Sequence, residues 1–317
     1  MASMFDKVPA GSRGSSSAAP GRTAASVADR RAPGSHRSSA TLTHLFLLAM
    51  VVYFVTPLWW LIIASTKSEA GLFGGTGGPL WFDRDFALFA NLAELFTAEN
   101  GLYLTWLRNS FLYALSGGIG STILAVLAGY GLAIYQFRGS RVFFAVLLGA
   151  VMVPLTALVI PTFVLLSELN LTNTIWAVIL PSLLNPFGVY LMRVYAQEVV
   201  PTELLEAGRM DGAGELRLFF QVALPLLRPA LVTVLLLSVV ATWNNYFLPL
   251  VMVNDPQLLP VTVGLGQWLS ISRQGAAEAQ VWNLVVTGAL VSIVPLVISF
   301  LALQRYWRGG LALGSLK

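Results

Sequence analysis

Six stretches of this chain run for about twenty residues or more almost without a charge, and that pattern restricts the fold more than any other feature. They are Leu42 to Ala64, Asn109 to Phe137, Val142 to Ser167, Thr174 to Met192, Pro229 to Val253 and Ala279 to Gln304. A helix needs about 20 mostly apolar residues to cross the hydrocarbon core of a bilayer, where every backbone polar group must be paired internally. The sequence therefore predicts an all-α, polytopic membrane protein of six transmembrane helices, with the lipid bilayer as its first partner. Composition agrees: 56% of residues are hydrophobic and 11% charged, against about a quarter charged in a soluble domain.

Lys and Arg set the orientation. With the N-terminus inside, fifteen of the nineteen cations fall in inner segments, leaving Lys67, Arg84, Arg108 and Arg273 outside. An excess of Lys and Arg marks the cytoplasmic side, so both termini are predicted to be cytoplasmic. Residues 1–41, rich in Ser, Ala, Gly and Arg, read as a disordered cytoplasmic tail. Residues 42–304 read as one transmembrane domain that includes the inner loop 193–228, and 305–317 as a C-terminal cytoplasmic tail. The longest outer loop, Ser65 to Arg108, is glycine-rich at its start.

Several chemistries are excluded. The chain has no cysteine, and its two histidines, His36 and His44, lie near the N-terminus. No disulfide, thiol nucleophile, cysteine-held zinc or histidine site elsewhere is available, and neither a metal nor a cofactor is expected. The lysines are Lys7, Lys67 and Lys317, none after a glycine, so the chain lacks the phosphate loop that would let it bind ATP itself. The cations are scattered, which argues against nucleic acid. No carboxylate lies inside a span, where an ion-coupled carrier usually keeps one.

The inner loop carries the most pattern. Pro201 and Thr202 open a short helix whose apolar side holds Leu204, Leu205, Ala207 and Met210. Gly212 and Gly214 break it, and Glu215 to about Val222 reads as a second short helix with Leu216, Phe219 and Phe220 at helical spacing. Pro225 and Pro229 are expected to turn the chain into the fifth span. By pattern alone, an amphipathic loop on the membrane surface and a docking element for a cytoplasmic partner fit equally well.

Other features are open to two readings. In the second span, Gly117, Ser121, Ala125, Gly129 and Ala133 place a small residue at every fourth position, which suits close helix packing. Prolines in nearly every span predict kinks. Trp243, Asn244, Asn245 and Tyr246, with Asn185, could line a path for a sugar through amide hydrogen bonds and ring stacking. They could equally be an interfacial aromatic belt with amides that satisfy freed backbone groups.

Glu206, Ala207, Gly212, Leu224 and Pro225 fall at the spacing of the "EAA" loop of ATP-binding-cassette importer permeases, with Gly208 in place of the second Ala and Val222 in place of Ile. Asn109-Ser110-Phe111, Pro161-Thr162-Phe163, Asp211-Gly212-Ala213, Trp243 to Phe247 and Gln304 to Leu311 extend the likeness. From residue 42 onward the chain resembles the carbohydrate-uptake branch, in particular the shorter permease of maltose-type systems. The resemblance implies a coupling helix, between the fourth and fifth spans, seated in a cleft of an ATPase subunit, with Glu206 as its most characteristic residue. Glu206, Ala207, Gly208, Asp211, Gly212, Leu224 and Pro225 are then the coupling residues. It further implies a bacterial inner-membrane location, a second homologous permease, two ATP-binding-cassette ATPase subunits and an extracytoplasmic solute-binding protein. The chain itself would not be an enzyme, and the cargo would be a sugar or polyol. The alternatives are an importer for a different solute and a membrane-embedded enzyme of the glycosyltransferase type.

Overall fold

The computed structural model describes residues 35–273 and 281–311, with side chains described over 40–273 and 281–304. The chain divides into two units, Met1–Tyr53 and Phe54–Lys317. The first unit contributes the start of α1 (Ser35–Ser65), so helix already occupies the last seven positions assigned to the N-terminal tail. Residues 1–34, the rest of that tail, lie outside the described residues.

The second unit is organised around α4 (Leu102–Ile134). At 1.5 Å per residue it is about 50 Å long, more than the roughly 30 Å of a hydrocarbon core. It starts seven residues before the predicted span, so Arg108 lies within it and remains exposed. One face of α4 packs on α8 (Pro186–Val199) and α11 (Leu224–Trp243). The small residues make this possible. A Cβ on Gly129 would lie 2.5 Å from Met192 Cβ, and one on Gly118 would lie 2.5 Å from a Val239 methyl. Helix backbones approach this closely only where side chains are absent.

Three spans differ from the sequence reading. The fifth, read as Pro229 to Val253, ends as one helix at Trp243. Val142 to Ser167 is not one straight helix but α5 (Ser140–Val151) and α6 (Leu155–Glu168), bent by 104°. Pro154 sits at the break, and proline disfavours helical geometry in the residue before it. The fourth span is α7 (Trp176–Ser182) followed by α8, with Pro186 opening the second piece. It runs seven residues past Met192 and so carries Arg193 and Glu198. Arg193 is accommodated by its guanidinium lying 3.6 Å from the Phe144 ring centroid and by its Nε donating to Leu132 O at 3.3 Å. Among the described residues five helices are long and apolar enough to cross a membrane, or six if the bent pair counts as one span. The last, α14 (Trp282–Leu311), continues as helix through the first seven positions assigned to the C-terminal tail. Residues 312–317 lie outside the described residues.

Pro225 and Pro229 do not turn the chain, as the sequence had suggested. Both lie within α11, which continues from α10 (Glu215–Leu218) through a π-turn, Phe219–Ala223. Pro225 has no N–H for the carbonyl of Gln221, and a widened turn accommodates the missing bond.

Between α1 and α4 lie α2 (Glu69–Gly74) and α3 (Leu88–Thr97). After α11 the chain forms α12 (Phe247–Met252) and then α13 (Val261–Arg273), an amphipathic helix the sequence reading did not anticipate. Two apolar clusters gather along α4. One holds Trp106, Tyr113, Trp243, Leu259 and Trp268. The other, toward the opposite end, holds Tyr130, Met192, Leu205, Leu218 and Leu227.

Candidate functional site

The loop 193–228 folds as the sequence predicts in its first half. α9 (Thr202–Met210) begins directly after Pro201. It ends in a Schellman motif: Ala213 N–H donates to Gly208 O and Gly212 N–H to Arg209 O, both at 3.0 Å. Gly212 has φ +79°, the left-handed geometry this motif requires.

α9 has an inner and an outer side. Leu205 is 1% exposed and packs with Leu218, Phe219 and Leu227. Gly208 faces Leu218 so closely that a Cβ there would lie 2.4 Å from its Cδ2. On the outer side Leu204 is 50% and Met210 89% exposed, with Glu206 and Ala207 also exposed. Beyond Gly212 the exposed apolar surface continues with Leu216 and Phe220, while Asp211 is also exposed. Leu224 and Pro225 are half-buried at the start of α11 and belong to the support rather than to the exposed side. Exposed Met210 and Phe220 are of the residue types enriched at protein-docking surfaces.

The residues proposed for a solute path are brought together only in part. Asn185 caps α8: its Oδ1 accepts from Gly188 N–H at 2.8 Å and its Nδ2 donates to Ser238 Oγ at 2.9 Å. Both ends of that amide are engaged within the protein. Trp243 is 4% exposed and meets Phe111 edge-on at 5.0 Å. Asn245 Oδ1 accepts from Leu248 N–H at 3.4 Å, and its backbone carbonyl accepts from Thr262 Oγ1. Asn244 ends α11 with an exposed side chain, and Tyr246 is 43% exposed. Asn244 and Tyr246 therefore keep side-chain surface open at the break between α11 and α12.

Near Trp243, α4 is tied to the segment after α12. Asn109 Nδ2 donates to Gln257 O at 2.7 Å and Leu259 O at 3.1 Å. Tyr113 Oη donates to Leu258 O, Trp106 Nε1 to Pro256 O, and Val261 N–H to Ser110 Oγ. The triplet Asn109-Ser110-Phe111 is present in the sequence, but its role as a clasp depends on residues about 150 positions away. A second set of contacts fixes the glycine-rich loop between α1 and α3. Lys67 Nζ lies 3.4 Å from Asp83 Oδ2 and donates to Gly78 O at 2.6 Å, while Asp83 Oδ1 accepts from Gly77 N–H at 2.6 Å.

Comparison with known proteins decides the family. The family described as "Binding-protein-dependent transport system inner membrane component" matches residues 121–309, more than half of the chain. The chain belongs to that family. The matched region of this permease contains the whole of α9, the Gly212 joint and α11. The permease is 34% identical over 277 residues to the arabinooligosaccharides transport system permease protein AraQ of Halalkalibacterium halodurans, covering 87% of this chain and 95% of the relative. It is 29% identical to the lactose transport system permease protein LacG of Rhizobium radiobacter, covering 83% and 91%. Its fold matches a chain from the crystal structure of a bacterial ABC transporter involved in the import of the acidic polysaccharide alginate, with a TM-score of 0.75 and 25% identity. That match covers 86% of this chain and 98% of the other.

Proposed function

We propose that this permease forms half of the translocation pathway of an ATP-driven, binding-protein-dependent importer for a sugar or polyol. The observation that carries the reading is the two-sidedness of α9. Its inner side packs through Leu205 into the cluster that holds Met192 and Leu227 and through Gly208 against Leu218, and its outer side presents Glu206 together with exposed Leu204 and Met210. A short helix held that way can pass a partner's movement inward as a rigid-body tilt. The partners are two ATPase subunits on the α9 side, a second permease in the bilayer, and a solute-binding protein on the opposite side. ATP hydrolysis belongs to the ATPase subunits. The cation distribution supports six spans with α9 and both termini in the cytoplasm. Oligosaccharide and disaccharide transport in the names of the relatives supports the solute class. Within the path, Asn244 and Tyr246 are the groups we assign to the solute, because their side chains are exposed.

Co-purification tests this reading. Glu206→Ala should insert and pair with the second permease but lose its ATPase subunits or its uptake. A contact of this kind costs about 2–5 kcal/mol when one partner of a desolvated charge pair is removed. Wild-type co-purification together with wild-type uptake would show that Glu206 does not dock the ATPase.

A further inference from the structure

The joint between α9 and α10 contains a contact that docking does not require. Glu215, the first residue of α10, accepts hydrogen bonds from two sides. Arg209, on α9, donates from Nε to Oε1 at 2.7 Å and from Nη2 to Oε2 at 3.3 Å. Tyr135, the residue that ends α4, donates its hydroxyl to Oε2 at 2.6 Å. A parallel aromatic connection runs beside it. The Tyr135 ring meets Tyr130 edge-on at 6.0 Å, and Tyr130 lies 5.0 Å from Phe219, which follows α10. The near end of α4 is thus joined to both arms of the loop.

We infer that the Tyr135–Glu215–Arg209 cluster is a strut that makes α9 and α4 move as one body, with Glu215 as its positioning residue. The inference rests on the reading of α9 as the docking helix. Arg209 and Glu215 side chains are 40% and 48% exposed, and exposed pairs add little to stability. What a forked guanidinium–carboxylate contact does supply is a fixed relative orientation. The receiving element is suited to transmit it. α4 runs for 33 residues without a proline, and its other end is clasped to residues 256–261. A displacement applied to α9 would therefore be delivered along the length of the helix that packs on both α8 and α11.

The absence of native cysteine makes a distance test direct. Spin labels are placed at Glu203→Cys and Gln136→Cys, both exposed, in the importer assembled with its ATPase subunits. Pulsed electron resonance then reads their separation with and without MgATP and vanadate. One narrow distance, unchanged by nucleotide, is expected. Glu215→Gln and, separately, Tyr135→Phe should abolish that single distance and make it nucleotide-dependent, while the ATPase subunits still co-purify. The double variant should be no worse than either one. A distribution that stays narrow and nucleotide-independent in both single variants would overturn the strut. Failure of the docking reading would show differently: the mobility of the Glu203 label would ignore the ATPase subunits, and the strut would lose its role with it.

Discussion

Leu218 occupies the space that a side chain on Gly208 would need, its Cδ2 lying 2.4 Å from the position of a Cβ there. The family pattern has alanine at this position, and alanine improves helix propensity by about 1 kcal/mol. Leu218 is 1% exposed, so its methyl must shift within the packed cluster around Leu205, and overpacking a core costs about 1–3 kcal/mol. Gly208→Ala is expected to lower the melting temperature in detergent despite its better propensity. Adding Leu218→Val should recover part of the loss.

Gly212→Val should disable the joint without touching the membrane helices. A left-handed backbone costs a side-chain-bearing residue about 1–2 kcal/mol, and a β-branched side chain makes it worse. Gly212→Asn should be milder, because asparagine tolerates this region. ATPase co-purification, measured alongside the amount of membrane-inserted protein, checks both.

The Lys67–Asp83 pair is nearly buried, with side chains 4% and 9% exposed. Removing one partner of such a pair costs about 3–5 kcal/mol, whereas replacing both with apolar residues is often tolerated. Lys67→Met should therefore destabilise the permease strongly, and Lys67→Met with Asp83→Leu should do so less. Thermal unfolding followed by size-exclusion chromatography gives the order.

The amides proposed for the solute path should separate cleanly. Asn185→Ala leaves Gly188 N–H and Ser238 Oγ without their partner and should cost about 1–3 kcal/mol of stability. Asn244→Ala removes an exposed amide and should leave the stability within about 0.5 kcal/mol of wild type while reducing uptake. An Asn244→Ala permease with full uptake would remove that residue from the path.

What the sequence made legible follows the range of the interactions. The helix α9 and its stop at Gly212 were readable because a Schellman motif is encoded within six residues. Apolar windows fell on the helices long and apolar enough to cross a membrane, five or six among the described residues, because a bilayer imposes length and composition locally. The 104° bend at Pro154 was not readable, since a proline in a membrane helix fits a mild kink or a full break equally well. α13 was missed because its buried side exists only through distant partners: Gly264 faces Trp106, and Trp268 Nε1 donates to Glu99 Oε1 at 2.9 Å. Glu215 escaped attention for the same reason, its hydroxyl partner being 80 residues earlier.

The clasp on α4 also bears on how the protein is made. Asn109 and Leu259 are separated by 150 residues, and ribosomes add about 5–20 residues per second. For roughly 8–30 s, then, α4 exists as a nascent helix whose Asn109 amide and Tyr113 hydroxyl have no permanent acceptor. Water or the insertion machinery must serve those groups during that interval. A chain truncated before Pro256 never acquires the acceptors at all, and its α4 keeps these polar groups without their partners.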